Sequence, residues 1–132
     1  MNVELNWEDD GVYRKFNGRF SDSDVRQSNQ RIVRDRRFDA AQWCISDFLD
    51  AEVDEDGPRN FYDAVANHEA VMAGLRRGDS GLWTAAVASD PQTIAHLRFF
   101  HSLKLPPHPF ELFETVDQAR EWIAGHCPSA MR

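Results

Sequence analysis

The sequence predicts an α/β fold: an N-terminal β-hairpin followed by βα units, giving a mostly parallel mixed sheet with helices packed on it. Three observations carry this prediction. Residues 3–7 and 12–20 alternate apolar and polar side chains on either side of Glu8-Asp9-Asp10-Gly11, as two half-buried strands joined by a turn do. Residues 42–46 and 82–88 are short apolar runs rich in strand-forming types, the pattern of buried parallel strands. Between and after these runs, capping residues open stretches whose apolar side chains recur at helical spacing. Alternating βα units connect through right-handed crossovers, with helices on one or both faces of the sheet.

The elements follow in order. After the hairpin, Ser21-Asp22-Ser23-Asp24 supplies N-cap oxygens and acidic groups suited to the positive end of a helix dipole. The helix it opens carries Val25, Ile32 and Val33 inward and ends around Arg36-Arg37-Phe38. The strand at 42–46 opens into an acidic loop from Asp47 to Pro58. From Asn60 to Arg77, Phe61, Val65, Met72 and Leu75 share one helical face, and Gly78 ends that helix. After the strand at 82–88, Ser89-Asp90-Pro91 is a cap with proline at the first helical position, and Ile94, Leu97 and Phe100 line the helix behind it. Phe110-Glu111-Leu112-Phe113 alternates as a last, edge strand, and Thr115-Val116-Asp117-Gln118 caps a final helix with Ala119, Trp122 and Ile123 inside.

Composition bounds the function. The 132 residues are 42% hydrophobic and 28% charged, the make-up of a single folded domain over 1–132. Fifteen Lys and Arg against 22 Asp and Glu give a net charge of −7, which argues against nucleic acid or an anionic membrane as a partner. The N-terminal residues show no signal-peptide pattern, and no apolar run approaches the ~20 residues that cross a bilayer. Cys44 and Cys127 are the only cysteines, consistent with reduced thiols and a cytoplasmic location.

Chemistry-bearing residues gather at a few places. Ligands of open α/β sheets favour the crevice beyond the carboxyl ends of parallel strands. Here that rule gathers Ser46, Asp47 and Asp50 from one loop and Ser89 and Asp90 from another. The acidic segment continues through Asp54, Glu55 and Asp56. It departs from the EF-hand pattern, because counting from Asp50 the glycine and the acidic twelfth ligand are replaced by Glu55 and Phe61. No metal and no cofactor is therefore expected. Arg26, Arg31, Arg34, Arg36 and Arg37 form a basic counterweight on the first helix and its exit. His96 and His101, five apart, sit roughly 500° apart around a helix and do not share a face as zinc ligands would. No catalytic motif with a fixed spacing is present.

The closing segment Phe110-Glu111-Leu112-Phe113-Glu114-Thr115-Val116-Asp117-Gln118-Ala119-Arg120-Glu121-Trp122-Ile123, and the strand Leu82-Trp83-Thr84-Ala85-Ala86-Val87-Ala88-Ser89-Asp90, resemble those of small STAS-like bacterial proteins, related in fold to anti-sigma factor antagonists. The resemblance implies a binding or regulatory module. Those antagonists carry a phosphorylatable Ser or Thr in an Asp-Ser-Ser-Gly-like turn; Ser46-Asp47-Phe48-Leu49-Asp50 departs from it, leaving Ser46 as the nearest candidate.

The leading expectation is a non-catalytic, STAS-like protein-interaction module that meets an unidentified protein partner through its helices and the acidic segment 47–56, with homodimerisation compatible. An alternative is a carrier of a small apolar ligand or lipid, with a pocket between helices and sheet lined by Phe61, Phe99 and Phe100. A third is a hydrolase or metal-dependent enzyme using Asp47 and Asp90.

Overall fold

A computed structural model describes residues 3–53, 83–102 and 110–127. Strand β1 (Val3–Glu8) turns through Asp9 and Asp10 into β2 (Gly11–Phe20), and the two pair antiparallel with Glu8 opposite Gly11. Helix α1 (Asp22–Arg34) and a 3-10 turn (Arg36–Ala40) lead to β3 (Trp43–Val53). Beyond the undescribed stretch 54–82 come β4 (Trp83–Val87), α2 (Pro91–Ser102), β5 (Phe110–Phe113) and α3 (Val116–His126). The sheet order is β1-β2-β3-β4-β5, and β2 through β5 run parallel. The predicted helix at 60–77 lies outside the described residues.

Local chemistry sets the boundaries. Ser21 and Asp24 form a reciprocal capping box at the start of α1, and Thr115 and Gln118 form another at α3. Asp35 ends α1 early, and its side chain caps the 3-10 turn by accepting from the Arg37 amide. The predicted first helix thus breaks after Arg34.

Strand period 2 sends side chains to two faces, and both faces are covered. On one, α1 and α2 pack over two clusters: Val3, Phe16, Phe20, Phe48 and Ala86, and Val12, Ile32, Phe38 and Cys44. On the other, α3 packs Ala119, Ile123 and Cys127 over Trp43, Ile45, Ala85 and Val87. Phe16, Phe20 and Phe48 form an aromatic triad, with the Phe16 and Phe48 rings stacked at 4.5 Å.

One expectation is corrected here. The acidic loop predicted from Asp47 onward is strand as far as Val53. Pairing with a ten-residue β2 holds it extended. A bulge adjusts the register, because Lys15 faces Asp47 while Asn17 faces Asp50, leaving Phe48 and Leu49 opposite Phe16. Phe48 and Ala51 then point into the core while Asp50 and Glu52 stay exposed, so the charges that read as a loop are the solvent side of a strand.

Candidate functional site

Among the described residues, two polar sites and a groove lie around this frame. The first polar site is buried. Val12, Arg14 and Phe16 alternate inward on β2, so Arg14 is carried under α1 at 6% exposure. Its Nε and Nη2 donate to Ser46 Oγ at 3.0 and 2.8 Å, and its Nη1 donates to Ser28 Oγ at 2.8 Å and Asn29 Oδ1 at 2.6 Å. All these acceptors are neutral. The guanidinium also lies 5.1 Å from the centroid of the Phe16 ring. Burial pushes its pKa down, opposed by the nearby Cys44 thiol. The cluster fixes α1 to β2 and β3 and is closed to solvent.

The second polar site lies on the opposite face, beside α3. Asp47 is buried and accepts from the Tyr13 hydroxyl and, at 2.9 Å, from the Leu49 amide. Burial, then the hydrogen bond to Asp47, raises the Tyr13 hydroxyl well above the ordinary tyrosine value. Arg120 leans over the Tyr13 ring at 5.6 Å and clasps Glu8 with both terminal nitrogens, at 3.2 and 2.9 Å. Lys15 pairs with exposed Asp50 at 2.9 Å. Each charged group here already has a partner.

The groove is different. About 750 Å³ opens at the carboxyl ends of β4 and β5, between α2 and α3. Ala88 and Leu112 give it an apolar floor, Ile94 and Arg98 form the α2 wall, and Gln118, Glu121 and Trp122 form the α3 wall. Phe113 and Glu114 close the strand end. Trp122 is braced edge-on against Trp83 at 5.4 Å and against Phe113 at 5.7 Å, and His126 stacks on Trp83 at 4.3 Å. The Gln118 side chain accepts from the Glu114 and Thr115 amides, which holds the α3 end of the groove in shape.

The sequence-predicted residues divide between these places. Ser46, predicted at an exposed rim, is 2% exposed in mid-strand and accepts Arg14; a kinase has no access to it there. Asp47 and Asp50 belong to β3 and not to a loop, and the first is engaged by Tyr13 and the second by Lys15. The predicted rim therefore does not assemble from these three. Ser89 and Asp90 do sit at the carboxyl end of β4, next to Ala88 of the groove. Ser89 is exposed, whereas Asp90 caps α2 by accepting from the Thr93 amide and hydroxyl, each at 3.0 Å. Asp54, Glu55, Asp56 and Phe61 lie outside the described residues, as do the side chains of Phe99 and Phe100 on α2.

No group of three or more metal-ligating side chains occurs among the described residues, and no described helix is long and apolar enough to cross a membrane. Both cysteines are free and buried, and burial raises the Cys127 thiol. Sequence reasoning missed Arg98, Leu112, Glu121 and Trp122 as groove residues and Arg14 as a buried cation. The signal for Arg14 was present: a charged residue at the inward phase between Val12 and Phe16. For the groove, the strand-end rule pointed to the carboxyl end of β4, but it placed the end of β3 at Ser46, short of its actual end at Val53.

No protein-family model matches the sequence, and no curated protein matches it. Among solved structures, the anti-sigma factor antagonist SpoIIAA in its unphosphorylated form is similar over 93% of this chain and 98% of its own, at 17% identity and a TM-score of 0.56. A protein of Shewanella loihica PV-4, from the DUF3478 family with a SpoIIAA-like fold, matches over 91% of this chain and 90% of its own, at 10% identity and a TM-score of 0.54. The phosphorylated Bacillus cell fate determinant SpoIIAA covers 92% of this chain and 98% of its own, at 13% identity and a TM-score of 0.50. With its antiparallel hairpin, four parallel strands and crossover helices, this chain has the SpoIIAA-like fold of STAS-like proteins.

Proposed function

We propose that this protein is a non-catalytic regulatory module that docks another protein across the carboxyl ends of β4 and β5. The observation that carries this reading is the groove between α2 and α3, with an apolar floor at Ala88 and Leu112 and charged side chains on opposite walls. An apolar floor inside a charged rim is the make-up of a protein-docking surface. The side chains of the carrier reading, Phe61, Phe99 and Phe100, lie outside the described residues, whereas this groove is rimmed by Arg98, Glu114 and Glu121. The acids an enzyme reading would need are engaged: Asp47 holds Tyr13 and Asp90 caps α2. The SpoIIAA-like fold supports a regulatory role, since one solved example is an anti-sigma factor antagonist.

The test is site-specific photo-crosslinking in the native host, with the crosslinker at exposed Glu121 in the groove and, as control, at Asp39 in the exposed 3-10 turn. A discrete protein adduct from position 121 and none from position 39 is expected. Equal labelling from both positions, or none from 121, refutes the reading.

A further inference from the structure

Strand β5 runs along the floor of this groove. Among the described residues β5 has one hydrogen-bonded neighbour, β4. The Phe113 carbonyl accepts from the Ala88 amide at 3.1 Å and so faces the sheet. In a parallel strand the backbone groups of successive residues point to alternate sides, so the amide and carbonyl of Leu112 face outward. The Leu112 amide does point away from β4: its acceptor is the carboxylate of its own neighbour Glu111, at 3.4 Å. That distance is beyond the normal range for an N–H···O bond, so the carboxylate is a weak, exchangeable stand-in.

From these observations we propose that the partner binds as an extended peptide segment that adds to β5 as a sixth strand, its carbonyl replacing Glu111 on the Leu112 amide. This rests on the docking reading above and specifies its mode. Side chains of an added strand alternate between the two walls. Those turned toward α2 meet Ile94 and Arg98 and so are apolar or acidic; those turned toward α3 meet Trp122 and Glu121 and so are aromatic or basic. Arg98 forms no ion pair among the described residues, and its charge on the α2 wall complements an incoming carboxylate. A second copy of this chain fits poorly, because the pair would bring six acids together, Glu111, Glu114 and Glu121 from each copy, with two Arg98 side chains to offset them. The four residues of β5 span about 13 Å, enough for three or four peptide residues, which points to a moderate affinity.

The probe is a displayed library of random heptapeptides selected on the whole protein, and the strongest binder is then made synthetically, both plain and N-methylated at alternate amides. The expected result is enrichment of sequences with period-2 alternation. The plain peptide slows hydrogen exchange at the Leu112 amide at least tenfold. N-methylation of the amides on one edge weakens binding at least tenfold, and Arg98→Glu reverses the preference for an acidic residue. Leu112→Pro removes the outward donor and abolishes binding; if that variant does not fold, the N-methylated peptides carry the same test. Peptides with i, i+3, i+4 spacing, or indifference to N-methylation, overturn strand addition while leaving a docking groove. Absence of any binder lost on Trp122→Ala overturns the docking reading as well. A dimer in sedimentation whose Leu112 amide is protected without peptide overturns the proposal in favour of pairing between copies.

Discussion

Gly11 and Trp43 face each other across β2 and β3, and replacing that glycine tests the sheet packing directly. A Cβ at position 11 falls 2.2 Å from Trp43 Cδ2 and Cε2 and 2.7 Å from Cγ. Carbon atoms rest at about 3.5 Å or more, so the indole has to retreat by more than about 1 Å. Trp43 is 2% exposed and packed with Ile45, Ala119 and Ile123, so the ring has no free space to enter. Two effects compete in Gly11→Ala. Lower chain entropy in the unfolded state favours alanine by about 0.4–1 kcal/mol. Overpacking opposes it by about 1–3 kcal/mol or more, and the short distances place this case at the upper end. The net expectation is a loss of about 2 kcal/mol, or roughly 6–10 °C in Tm for a domain of this size.

The assay is urea unfolding followed by far-ultraviolet circular dichroism, on Gly11→Ala, Trp43→Leu and the double variant. Leucine at 43 vacates the volume that the new methyl needs. Gly11→Ala in that background should therefore cost within about 0.5 kcal/mol of nothing, and the cycle should show a coupling of about 2 kcal/mol. A Gly11→Ala protein as stable as the parent, or strictly additive effects, refutes the reasoning.

Other perturbations test the remaining contacts. Arg14→Met removes a desolvated charge but leaves Ser46 and Asn29 without that donor; we expect a loss of about 2–3 kcal/mol in urea unfolding, at least half of it recovered in Arg14→Met/Ser46→Ala. The Tyr13 hydroxyl has a folded pKa above its unfolded value of about 10. Its contribution is therefore complete below pH 10 and declines as pH rises further, so Tm should fall more steeply above pH 10 in the parent than in Tyr13→Phe, as calorimetry across pH 9–11 will show. Asp35, with hydrogen bonds from the Arg37 side chain and amide, is held down to about 2. Its carboxyl resonance should titrate there by NMR and move toward the ordinary range in Arg37→Ala; because the folded pKa is lowered, that contribution is present at neutral pH and is lost as pH falls toward 2. Neutralising Asp54, Glu55 and Asp56 together should weaken a partner complex and flatten its salt dependence; unchanged affinity in a binding titration removes that segment from the interface.

Much of the architecture was legible in the residues themselves, because each element is a local arrangement. Alternation around Asp9-Asp10-Gly11 specified the hairpin, Asp90-Pro91 and Thr115 with Gln118 specified two helix starts, and Phe110-Glu111-Leu112-Phe113 specified the last strand. The upper half of β3 was not legible. Asp47, Asp50 and Glu52 have low strand propensity, and only pairing with residues 15–20 of β2, shifted by a bulge, holds them extended. The candidate sites depended on tertiary structure for the same reason. Period 2 implied that Arg14 points inward, yet only the approach of α1 supplies Ser28 and Asn29 to receive it. Arg98 and Glu121 are 23 positions apart, on helices that pack against opposite faces of the sheet. They come to face one groove because β5 is the edge strand that ends between those two helices. Sequence fixes which groups a chain can offer; sheet order and register decide which of them meet.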